Sequence, residues 1–186
     1  MKLTEFNVMR NKFVTAVLVV VLCQLAWEHF NGGVAVHYPL MRDDLTGISN
    51  WWALIILPAI SWFASHRIQK RMFSSDALDQ QFAKRFRNIV IGFSTMLFIG
   101  VLQSIAFTFG FGGLMKLVAL GVMFFALFVP MYRVEYIVGY VLGAMFVFGP
   151  AIPFIGVAMF LVISTISHKL VIPAFKYLIS HKASNS

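Results

Sequence analysis

Residues 89–109 read IVIGFSTMLFIGVLQSIAFTF, a run without one charged side chain. A helix rising about 1.5 Å per residue over that length spans the roughly 30 Å of a bilayer's hydrocarbon. A strand of a transmembrane barrel would alternate apolar and polar residues instead. Backbone groups cannot stay unpaired in hydrocarbon, so the run must be a helix.

Working outward, further apolar runs occupy Phe13 to Trp27, Trp51 to Ala64, Leu117 to Val129, Tyr136 to Phe148 and Phe154 to Ile172. With flanking residues they predict about six spans over 13–30, 50–66, 89–109, 114–131, 135–149 and 153–173. The expected fold is all-α, a polytopic transmembrane helix bundle of three antiparallel hairpins. Of the 186 residues 60% are hydrophobic and 12% charged, against about 25% charged in a soluble domain. The chain has no room for a separate soluble domain beside these spans, so 1–186 reads as one transmembrane domain.

The net charge of +8 does not point to nucleic acid, because the basic residues stand at the ends of apolar runs. With both termini inside, every Lys and Arg except Arg42 and Lys116 falls on the inner side. That asymmetry obeys the positive-inside rule and gives an N-in/C-in protein of a bacterial-type inner membrane. Trp27, Trp51 and Trp52 then mark the outer interface, and Tyr132, Tyr136 and Tyr177 the inner one. Lys2, Arg10 and Lys12 before the first run imitate a signal peptide, but the exit Leu25-Ala26-Trp27-Glu28-His29 lacks the small residues of a cleavage site. The first run is therefore expected to stay as a span.

The connections differ in kind. Gly110 to Gly113 and Gly149 to Pro153 are tight turns. An inner segment, 74–88, has Ser75 as a helix cap and places Leu78, Phe82 and Phe86 on one face. Lys84, Arg85 and Arg87 beside that face suit anionic lipid head groups, and a plain extension of the third span fits as well. Gly139 and Gly143 form a small-xxx-small pair for close helix contact, and Pro58 is expected to kink the second span. Phe107-Thr108-Phe109-Gly110 recurs as Phe146-Val147-Phe148-Gly149, a weak echo of a duplicated hairpin.

Ionisable groups inside the spans are nearly absent. The outer connection, 28–50, is the exception, concentrating Glu28, His29, His37, Arg42, Asp43 and Asp44 on an otherwise almost uncharged face. Gln24 stands one helical turn before Glu28 and shares its side, while Asn31-Gly32-Gly33 marks a helix end and a sharp turn. Val34, Val36, Tyr38 and Ile48 make the connection too apolar to stand in water, so it is expected to fold back over the bundle.

Three readings fit this cluster. A carboxylate, two histidines and Arg42 can orient a polar small molecule or lipid head group. His29, His37, Glu28 and Asp44 supply donors suited to a divalent metal, although their spacing matches no established signature. The third reading is structural, with Arg42 paired to Glu28, Asp43 or Asp44. For haem the candidate pair is His66 and His168, but Arg67 and Lys169 beside them mark interface anchors instead.

The sequence carries no phosphate-binding glycine loop, nucleophile elbow, zinc-protease motif or Cys-x-x-Cys. The single cysteine, Cys23, allows no internal disulfide. The leading expectation is an outward-facing binding site in a transport or accessory component. The alternatives are a membrane-embedded enzyme with a histidine and carboxylate site, and a structural subunit of a homo- or hetero-oligomer.

Overall fold

The computed structural model of the chain describes residues 3–38, 44, 46–73 and 79–174. Helix α1 (Leu3–Phe30) leads into a small antiparallel ribbon, β1 (Val36–His37) and β2 (Ile48–Ser49), paired Val36 to Ser49 and His37 to Ile48. A 3-10 turn at Asn50–Trp52 opens α2 (Ala53–Phe73), followed by α3 (Asp79–Thr108), α4 (Gly112–Phe125), α5 (Val134–Phe148) and α6 (Ile152–Ile166). One π-helical turn, Ser167–Val171, prolongs α6. Apart from the ribbon, the regular structure of the described residues is all helical.

Among the described residues three stretches, Leu3–Phe30, Gln81–Thr108 and Ile152–Ala174, are long and apolar enough to cross a membrane. α4 and α5 are apolar but shorter, at 14 and 15 residues, or about 22 Å of helix each. Phe98, Leu117 and Val162 stand exposed on the helix surfaces, and Phe128 on the turns after α4. Such surfaces suit lipid and would be costly in water.

α5 is the central helix, and Val138 to Met145 are buried without interruption. It packs most extensively on α3 and also touches α2 and α6. A Cβ on Gly139 would collide with the Phe93 carbonyl oxygen and one on Gly143 with that of Leu97. One on Gly100 would come within 2.6 Å of the Tyr140 carbonyl oxygen. The backbones of α3 and α5 are therefore in direct contact, as the Gly139/Gly143 spacing predicted. Gly92 lies against Tyr136 and Phe107 against Phe148, so the two helices run parallel and in step.

α1 and α2 run antiparallel. Phe6 meets Phe73, Arg10 lies 4.0 Å over the Trp62 ring, and Glu28 meets Asn50 at the far end. At one end of the bundle stand Arg10, Lys12, Arg67, Lys70, Arg71, Lys84, Arg85, Arg87, Arg133 and Lys169, carried by the starts of α1, α3 and α5 and the ends of α2 and α6. The ribbon caps the other end. Lys116, in the first turns of α4, is the described basic residue away from the basic end.

Residues 79–88 continue into α3 without a break. Within segment 74–88, residues 79–88 thus form the first turns of α3. Residues 74–78, with Ser75 and Leu78, lie outside the described residues, as does Tyr177. α2 continues as one helix through Pro58. The echoed Phe-x-Phe-Gly segments each close a helix on a glycine with positive φ, 71° at Gly110 and 68° at Gly149. The shared motif thus serves a shared helix ending, where the glycine avoids the steric cost of a Cβ.

Candidate functional site

The connection after α1 is built on Glu28. Asn31 donates its side-chain amide to the Trp27 carbonyl, and Gly32 and Gly33 turn the chain back with φ of 116° and 103°. That turn brings Ala35 N–H to Glu28 Oε2 at 3.1 Å. Glu28 Oε1 accepts from Gln24 at 2.9 Å and from Asn50 at 2.8 Å. One carboxylate therefore ties the last turn of α1, the returning strand and the start of α2 together. The backbone bond from Asn50 N–H to the Ala35 carbonyl at 3.0 Å closes the same ring.

The ribbon lies across the turn between α5 and α6, and Val34 packs on the bundle core. A Cβ on Gly149 would come within 2.5 Å of His37 Cδ2 and 2.6 Å of Asn50 Oδ1. Glycine is required there both for φ and for space. His37 Nε2 and Asn50 Oδ1 close on this same point. Both atoms are buried; neither meets strict hydrogen-bond geometry, but the Asn50 side chain acts on His37 as a hydrogen-bond partner.

Burial holds the His37 pKa below its ordinary value of 6.5, opposed by the nearby Glu28 carboxylate and by a side-chain hydrogen bond with Asn50. The ring is therefore neutral at pH 7. With Nε2 protonated the ring donates to Asn50 Oδ1; in the other tautomer the imidazole nitrogen and the amide oxygen present two lone pairs side by side. Such a pair suits an incoming N–H or O–H donor.

Of the residues read from the sequence, Gln24, Glu28 and His37 come together. His29 is exposed at the end of α1, edge-on to Phe30. Asp44 is exposed on the connection, and Arg42 and Asp43 lie outside the described residues. Among the described residues no three His, Cys, Asp or Glu side chains gather as a metal site. Asn50, 1% exposed, went unnoticed in the sequence. Its signal was Ser49-Asn50 before Trp51-Trp52, a helix-start pattern in which the Ser49 hydroxyl accepts from Trp51 N–H at 3.4 Å.

Two other polar constellations serve the bundle. α4 ends at Phe125 and the chain continues in turns to Arg133, exposing carbonyls within an apolar setting. α6 satisfies them. Ser164 donates to the Val129 carbonyl and accepts from Met131 N–H, both at 2.9 Å, and Ser167 donates to Leu127 at 2.7 Å. His168 sets Nε2 3.2 Å from the Phe128 carbonyl and Nδ1 3.1 Å from that of Ser164. A role in haem ligation would break these contacts, and His66 is exposed on α2. Irregular backbone at membrane depth needs such partners.

At the basic end Glu135, 3% exposed, pairs with Arg71 of α2 through Oε1 at 2.7 Å. The two residues stand 64 positions apart in the chain, so this pair links α2 to α5. Lys84 and Arg87 are exposed on the α3 extension.

No family model, curated protein or solved structure matches this chain. The fold itself defines the class, an all-helical bundle with three helices fit to cross a membrane and a polar cap at one end.

Proposed function

We propose that this is a multi-pass protein of about six spans in a bacterial-type inner membrane, with its basic end and both termini facing the cytoplasm. The cap would then face outward and bind a small polar molecule or lipid head group that donates a hydrogen bond. The observation that carries the reading is the buried pair His37 Nε2 and Asn50 Oδ1, neither with a well-formed hydrogen bond, beside the Glu28 carboxylate. Buried polar atoms without partners are costly, and a bound donor would remove that cost. Exposed Lys84 and Arg87 suit anionic head groups on the opposite leaflet.

Hydroxyl and ammonium head groups fit the paired acceptors, whereas an anion would meet Glu28. A metal ion would have two neutral donors here and both Glu28 oxygens already engaged, so the geometry favours the organic ligand. The test is the thermal stability of the detergent-purified chain with ethanolamine, choline, glycerol and zinc ions, compared with His37→Ala. A stabilising shift from a hydroxyl or ammonium compound, lost in His37→Ala, supports the reading. No shift from any probe, or a shift that survives the substitution, contradicts it.

A further inference from the structure

A cavity of about 210 Å³ opens at the basic end, far from the cap, between α1, α2 and α3 with α5 as its floor. Phe6, Phe13, Ile68, Phe86 and Phe93 wall it. Glu135 lines the floor, and its Oε2 is buried with no hydrogen-bond partner. The neighbouring polar groups are already engaged. Arg71 donates to Oε1, Ser65 donates its hydroxyl to the Ser61 carbonyl at 2.8 Å, and Arg10 bonds Gln69 while stacking on Trp62.

We infer that this cavity binds a membrane-soluble molecule with an apolar body and an uncharged hydroxyl head, the hydroxyl donating to Glu135 Oε2. The aromatic and aliphatic walls select the body. The head must be a donor, because a carboxylate oxygen can only accept. It must also be uncharged: Arg71 already balances Glu135, so an ammonium would bring an unpaired charge into an apolar site and a carboxylate would face Glu135 directly. A long-chain alcohol or a diacylglycerol has this chemistry. The inference does not depend on the ligand proposed for the cap.

The experiment is saturable binding of dodecanol, methyl dodecyl ether and dodecylammonium to the full chain reconstituted in lipid vesicles. Dodecanol is expected to bind about tenfold tighter than either, the worth of one buried hydrogen bond. In Glu135→Gln, which places an amide donor where Oε2 stood, the ether should bind at least as well as the alcohol. Val90→Trp, a bulky change at a half-exposed wall position, should abolish binding of all three with helix content retained. Equal binding of alcohol and ether by the wild type, or an alcohol preference that survives Glu135→Gln, would overturn the inference. Should Glu135→Gln fail to fold, undiminished dodecanol binding in Val90→Trp would overturn it instead.

Discussion

Glu28 accepts three hydrogen bonds from three segments, so its replacement by Gln turns one acceptor into a donor that faces donors. We expect Glu28→Gln to cost about 2 kcal/mol of stability, the range for charge-assisted bonds lost with their partners left unpaired. Thermal or denaturant unfolding in detergent would measure this, and a loss below about 0.5 kcal/mol would contradict the keystone role. His37 gives a second handle at this scale. Its folded pKa lies below 6.5, so as pH falls through that value the unfolded chain takes up the proton and the folded chain resists it. Stability should therefore fall as pH drops below about 6.5 and level off above it. His37→Gln should flatten that part of the curve; an unchanged slope would show that His37 is not its source. The sequence made Gln24, Glu28 and His37 legible because charge is rare on that face. Asn50 and the Arg71–Glu135 pair were not legible, since their partners come from helices distant in sequence.

The contact between α3 and α5 sets the tightest tolerance among the elements. Gly139→Val and Gly143→Val would each drive a side chain into an opposing backbone, where nothing flexible can yield. A loss of about 1–3 kcal/mol or more is expected. Gly121→Ala is the control, because a Cβ there meets nothing within 4 Å and alanine favours helix by about 0.5–1 kcal/mol. Equal effects of the two kinds of substitution would contradict direct backbone contact. The end of α4 depends on α6 instead. Ser164→Ala removes two hydrogen bonds and leaves Val129 and Met131 only the one they make with each other, Met131 N–H to the Val129 carbonyl at 2.7 Å; it should cost about 1 kcal/mol, read as earlier unfolding. The glycine spacing announced the first contact in the sequence. Nothing announced the second, because a serine or histidine on an apolar helix reads as satisfied by its own backbone until the neighbouring irregular turn is seen.

The bundle as a whole has one basic end, where α1, α3 and α5 begin and α2 and α6 finish, and one end closed by the ribbon. Hydropathy made the helices legible, and the charge count predicted their alternation. The length of the α3 extension was open, because its charges suit either a lipid surface or water. The outward-facing cap depends on orientation, as does the leaflet toward which the separate cavity at the basic end would open. Single cysteines placed in a Cys23→Ser background would establish it most directly, with Asn31→Cys and Gly112→Cys at the cap end and Lys84→Cys and Arg133→Cys at the basic end. In intact cells a membrane-impermeant maleimide should label the first two, and the last two only after the membrane is opened. Labelling of Lys84→Cys in intact cells, with Asn31→Cys protected, would contradict the account.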